Sequence, residues 1–203
     1  TAGASQPNPA PRIRDWTSLP CGVVTLAETY GGGDVSRNLF EEMVADVGGR
    51  LDGFQERLIQ RKWMDDSFHL LGTSGTVTTI AGIHLGLERY DRSRVDGAWV
   101  DTVDVSAVTN ALLEMTLAER AAHPCVGIER ADLVLAGCAI LEAISRAWPA
   151  ERLRVADRGL REGILFSLME EDEARPSGGG RRRRRRRRRR KGAQAKPDSN
   201  PAP

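Results

Sequence analysis

Residues 72–76 read G-T-S-G-T, inside the stretch LLGTSGTVTTIAGIHLGLERYD that runs from residue 70 to 91. Glycines and hydroxyls in this pattern are groups that hold anions. Gly72 and Gly75 permit backbone angles that a side chain forbids, and they let a ligand approach the main chain. Thr73, Ser74 and Thr76 offer hydroxyls that cap a helix or donate to oxygens. A helix start adds unpaired N–H groups and the positive end of the dipole, so phosphate is the natural guest. The same strand, glycine turn and capped helix also serves α/β proteins as a plain connection, and these five residues alone leave both readings open.

Elements must hold that turn in place. Phe68, Leu70 and Leu71 predict the end of a buried strand before it, and Val77, Ile80, Ala81, His84, Leu85 and Leu87 fall mostly on one side of a helix after it. Upstream, Arg12 to Leu19 reads as a short strand broken by Pro20. Val23, Leu26, Ala27 and Tyr30 have helical spacing, ended by the glycines at 31–33. A second helix starts near Ser36 and buries Leu39, Phe40, Met43, Val44 and Val47, with Gly48 and Gly49 a weak point before Leu51, Phe54 and Leu58. Downstream, Gly97 to Val100 reads as a strand, and Asp104 or Ser106 is the expected cap of a helix with face Val105, Val108, Leu112 and Met115. Leu117 to Ala122 predicts a further turn or short helix. Arg130 to Trp148 carries a long helical pattern through Leu133, Val134, Gly137, Ile140, Leu141 and Ile144, stopped by Pro149. Leu153 to Ala156 predicts a strand, and Arg158 to Glu171 a last helix. Alternating strands and helices imply an α/β layer structure, with few strands for a complete doubly wound domain.

Charge and composition narrow the function. Arg181 to Lys191 is an unbroken run of eleven positive residues. Removing it from the formal charge of +2 leaves −9 on residues 1–180, since Lys196 and Asp198 cancel. An acidic body thus carries a cationic tail suited to RNA or polyphosphate, although no aromatic residue interleaves the run to stack on bases. An arm that folds back on the acidic body, or that only aids solubility, is the other reading. No apolar run approaches the roughly 18 residues of a membrane span, and no signal-peptide pattern opens the chain, so a cytoplasmic protein with no membrane contact is expected. Cys21, Cys125 and Cys138 show neither zinc nor redox spacing and read as reduced thiols. His69, His84 and His123 show no metal-ligand spacing, so no metal ligands are identified in the chain. The proline-rich residues 1–11, beginning at Thr1 rather than methionine, read as a linker or cut end, residues 12–174 as the folded part, and residues 175–203 as a disordered arginine-rich tail.

Four stretches, SLPCGVVTLAE (18–28), GTSGTVTTIAGIHLGLERYD (72–91), IERADLVLAGCAILEAI (128–144) and RVADRGLREGIL (154–165), resemble in order and spacing the exopolyphosphatase and guanosine pentaphosphate phosphohydrolase (Ppx/GppA) proteins of the actin-like ATPase superfamily. The resemblance implies an actin-like (ribonuclease H-like) lobe, here the second of two and so incomplete. It implies hydrolysis of terminal phosphates from polyphosphate or guanosine pentaphosphate with Mg2+, and it leaves a homodimer open. It makes Gly72, Thr73, Ser74, Gly75 and Thr76 the second-lobe phosphate loop and Arg130 a cation for phosphate charge, against a plain pairing of Arg130 with Glu129 or Asp132. Asp157, Arg158, Arg161 and Glu162 are expected to cap the last helix and form ion pairs, and Glu28 to be a surface acid. No catalytic residue is expected in this chain, because the family's water-activating glutamate belongs to the first lobe. The alternative function is a non-catalytic polyanion-binding module.

Overall fold

The structure, a computed structural model, describes residues 12–62 and 68–174. Residues 1–11 and the Arg181–Lys191 run, on which the linker and tail expectations fall, lie outside the described residues. The described residues up to 158 belong to one compact unit and those from 159 to a second.

The first unit opens with Arg12 to Leu19, which joins no ladder among the described residues and leaves Ile13 86% exposed, so the expected strand is not formed. Helix α1 (Val23–Tyr30) buries Leu26 and Ala27. Helix α2 (Arg37–Gln60) starts where Ser36 accepts a hydrogen bond from the Leu39 amide. It runs without a break through Gly48 and Gly49, contrary to expectation. Phe40, Met43, Val44, Val47 and Leu51 bury one continuous stripe, and the Phe54 ring meets Trp148 edge-on at 5.7 Å, so both halves are anchored. Strand β1 (Leu70–Gly72), helix α3 (Gly75–His84), the short helix α4 (Arg92–Val95) and strand β2 (Trp99–Asp101) follow. Helix α5 (Thr102–Glu114) leaves β2 directly, with Asp101 at its cap position and Asp104 already in its first turn, so neither Asp104 nor Ser106 caps it. Helix α6 (Leu117–Ala122) has a reciprocal cap, the Thr116 hydroxyl accepting from the Glu119 amide and the Glu119 carboxylate from the Thr116 amide. Helix α7 (Val134–Ala147) is shorter than its sequence pattern, because residues 128–133 wind through turns first. Strand β3 (Arg152–Val155) closes the sheet. The second unit contributes helix α8 (Leu160–Ala174), where the Glu162 carboxylate accepts from the Gly159 amide at 2.8 Å.

The sheet order is β1-β3-β2. β1 and β3 are parallel, with Leu70 opposite Leu153 and Gly72 opposite Val155, while β2 pairs antiparallel with β3 through Val100 and Leu153. Val100, Leu153 and Val155 face the core. The expected burial of Leu71 fails: it is 61% exposed, on the opposite face beside Arg154. The core runs from the sheet through α3 and α5 to α2 and α7, and Arg146 of α7 grips both Glu41 of α2 and Glu142.

Arg120 is a buried tie that the sequence pattern does not disclose, at 1% exposure. Its guanidinium donates to the carbonyls of Ala131 (3.1 Å), Leu112 (3.4 Å), Met115 (2.6 Å) and Gly33, and burial lowers its pKa. It thereby joins the turn after α1, the end of α5 and the turns before α7. Cys21, Cys125 and Cys138 are free thiols, and burial pushes Cys138 up to about 12. His69 packs edge-on against Trp99, and His123 accepts from the Cys125 amide.

Candidate functional site

The turn between β1 and α3 lies at the carboxyl end of a strand, where open α/β sheets place ligands. Ser74 is the cap: its hydroxyl accepts from the Val77 amide at 3.3 Å. Gly75 and Thr76 occupy the first two helical positions, whose amides have no acceptor within the helix. Neither Gly72 nor Gly75 takes a left-handed backbone angle, so the expected conformational reason for these glycines is not the operative one. Close approach is. A β-carbon on Gly72 would come within 2.7 Å of Val77, and one on Gly75 would stand 3.7 Å from Nη1 and 3.8 Å from Cζ of Arg130. At Gly137, in α7, a β-carbon would overlap the Thr76 hydroxyl.

Thr73, Ser74 and Gly75 line a cleft of about 540 Å3 with Thr78, Tyr90, the 124–130 segment and Asp157. A smaller cavity of about 230 Å3 lies beside Ser74, Gly75 and Thr76, walled by Val23 of α1 and by Leu133 and Val134 at the start of α7. The starts of α1, α3 and α7 therefore converge there. Arg130 borders both spaces. Among the described residues no carboxylate forms an ion pair with Arg130, so the pairing with Glu129 or Asp132 considered from the sequence is not made. Of the expected site residues, Thr73, Ser74, Gly75, Thr76 and Arg130 gather around these two spaces, while Gly72 lines neither and serves the packing of Val77.

Two residues on the cleft wall were not singled out for ligand contact by the sequence. The Tyr90 hydroxyl donates to Asp157 Oδ2 at 2.7 Å, and Arg92 Nε stands 3.3 Å from the same oxygen. Burial raises the Tyr90 pKa, and the hydrogen bond to Asp157 adds to the shift. Asp96 accepts from the Asp157 amide at 3.0 Å and from Arg158 at 3.0 Å, and these bonds lower its pKa, the amide first. Asp157 and Arg158 thus make ion pairs, as expected, with Arg92 and Asp96. Glu28 is exposed on α1. Chemically, the arrangement offers amide donors, hydroxyls and a guanidinium to an anion. No group of three or more His, Cys, Asp or Glu converges among the described residues, and Asp157 is engaged by Tyr90 and Arg92. No helix among the described residues is long and apolar enough to cross a membrane.

Comparison with known proteins agrees with this geometry. The sequence profile of the Ppx/GppA phosphatase family matches residues 10–172. A Mycobacterium tuberculosis protein named exopolyphosphatase 2 is 28% identical over 102 residues, covering 48% of this chain and 32% of that protein. A solved Ppx/GppA family member from Aquifex aeolicus superposes with a TM-score of 0.67 at 24% identity, over 79% of this chain and 50% of that one. An exopolyphosphatase from Cytophaga hutchinsonii superposes at 0.66 with 19% identity, over 76% of this chain and 49% of that one. The chain thus spans about half the length of these solved relatives.

Proposed function

Because the chain belongs to the Ppx/GppA phosphatase family, we propose that it supplies the phosphate-binding half, the second lobe, of a phosphohydrolase acting on terminal phosphoanhydride bonds of polyphosphate or guanosine pentaphosphate. The observation that carries this reading is the turn from Thr73 to Thr76 at the start of α3, with the Arg130 guanidinium over Gly75 and no carboxylate paired to it among the described residues. The Gly75 and Thr76 amides and Arg130 hold the terminal phosphoryl oxygens, where charge spreads as water attacks in line from the far side. On this reading the water-activating glutamate is supplied by the first lobe.

The test has two arms. Tripolyphosphate is titrated into the chain and followed by NMR at the Gly75 and Thr76 amides, and phosphate release from polyphosphate and guanosine pentaphosphate is measured on the full product of the gene. Arg130→Ala is expected to weaken the amide titration about tenfold or more, as loss of a charge-assisted contact does. Absence of any shift at these amides refutes the reading. Site-specific binding without hydrolysis by the full gene product favours the non-catalytic polyanion module, to which the Arg181–Lys191 run would add RNA or polyphosphate contacts.

A further inference from the structure

Part of the cleft wall is braced by hydrogen bonds between segments far apart in sequence. They start at Asp96, just after α4, which accepts from both the Asp157 amide and the Arg158 guanidinium. Asp157 in turn receives the Tyr90 hydroxyl at 2.7 Å, with Arg92 Nε at 3.3 Å and a second Arg92 nitrogen on the Asp157 carbonyl. The buried Thr78 hydroxyl donates to the Gly75 carbonyl at 3.0 Å and lines the same cleft as Tyr90 and Asp157, and the Ala156 amide, next to Asp157, donates to the Gly72 carbonyl at 2.9 Å. These contacts end at Gly72 and at Gly75, the first residue of α3, on either side of the loop.

We propose that Tyr90 and Asp157 are positioning residues of the phosphate loop, tying the segment after β3 to the first turn of α3 and so fixing the direction of the Gly75 and Thr76 amides. The inference rests on the reading of that loop as the phosphate site. Two arguments carry it. Tyr90 and Asp157 are partly solvent-exposed, and polar pairs in that setting add little to stability, so their value lies in orientation. Asp157 also faces a cleft read as anionic in its ligand, where a bare carboxylate would repel phosphate. Tyr90 and Arg92 occupy it, so it braces the loop without presenting an unpaired charge.

The experiment titrates tripolyphosphate into the full chain and reads the Gly75 and Thr76 amides, which separates the loop from ions gathered on the arginine run. Tyr90→Phe and Asp157→Ala each weaken binding about two- to tenfold, the range of one lost hydrogen bond, with the melting temperature nearly unchanged. Asp157→Asn, whose amide oxygen still accepts from Tyr90, restores affinity to within about twofold of wild type. The Tyr90→Phe/Asp157→Ala pair binds no more weakly than the worse single variant, because both remove one brace. Wild-type affinity in Tyr90→Phe, or an Asp157→Asn variant as weak as Asp157→Ala, overturns the brace and leaves the phosphate site standing. Losses that track falling melting temperatures overturn it in favour of a purely structural role. A wild-type chain whose loop amides do not respond overturns the phosphate site itself.

Discussion

Replacing Gly137 by alanine tests whether helix packing sets the geometry of the phosphate loop. An alanine β-carbon would overlap the Thr76 hydroxyl and lie 2.9 Å from both Cβ and Cγ2 of Thr76. Carbon atoms rest at about 3.5–4.0 Å, so the carbon contacts alone part α3 and α7 by roughly 0.6–1.1 Å, and the hydroxyl contact demands more unless Thr76 rotates. Overpacking of this kind costs about 1–3 kcal/mol, and the better helix propensity of alanine returns about 1 kcal/mol. The net loss is therefore about 0–2 kcal/mol, or at most about 8 °C in melting temperature for a chain of this size. Stability is thus the weaker readout. Binding is the sharper one, because the Thr76 amide has no acceptor within the helix and a shift of about 1 Å in a positioned group costs about tenfold or more. The assay is the tripolyphosphate titration at Gly75 and Thr76 beside a melting curve. Gly48→Ala, in an open position on α2, is the control, expected to gain about 0.4–1 kcal/mol with unchanged binding. If Gly137→Ala behaves like that control, the two helices are not in contact at Thr76 and the reasoning fails.

Gly75→Val sets branched carbons against the Arg130 guanidinium and over the loop amides. Melting should move by a few degrees at most while the titration weakens about tenfold or more, and unchanged binding would remove the loop from the site. Arg120→Met leaves the carbonyls of Gly33, Leu112, Met115 and Ala131 without their donor, and should cost about 3–5 kcal/mol in urea denaturation. A loss below about 1 kcal/mol would show those bonds to be replaceable. Acid should destabilise the fold through Asp96 and Glu119. Hydrogen bonds hold both below their ordinary 3.8 and 4.5, so the unfolded chain takes up protons first as pH falls. Their contribution is complete above those values and lost below them, and Asp96→Asn should flatten the acid limb of a stability–pH curve.

The sequence discloses the loop well, because Ser74 before an apolar helix is a local cap signal and its partner, the Val77 amide, lies three residues away. The α/β alternation and all three sheet strands are legible for the same local reason. What fails depends on partners distant in sequence. Arg12 to Leu19 alternates like a strand but has no neighbour to pair with among the described residues. The pattern from Arg130 stays helical through Leu133, yet Arg120 and the Gly32–Asp132 approach hold that segment in turns until Val134. Glycines at 48 and 49 suggest a break that burial on either side overrides. Arg120 sits in a stretch, LAERAA, that reads as an ordinary exposed face, and only the fold brings four carbonyls around it. Tyr90 and Asp157 lie 67 positions apart, which no spacing rule connects.

The strand order also governs how the chain assembles as it is made. β3 is the middle strand and the last to be synthesised, and both neighbours depend on it: Leu70 and Val100 each wait for Leu153. A nascent chain that has passed Asp101 therefore carries two unpaired strands and must keep them from joining other chains, a hazard of late, long-range pairing. Helices α5 and α7 lie between β2 and β3; α7 can gather against α2 and α5 against α3 and α7 first, bringing β1 and β2 to the positions where the final strand inserts. A released product ending just before Arg152 would hold an almost complete helical layer with no sheet. Chaperones that shield strand edges would find their longest opportunity there, and interrupted products ending at that point should be the aggregation-prone ones.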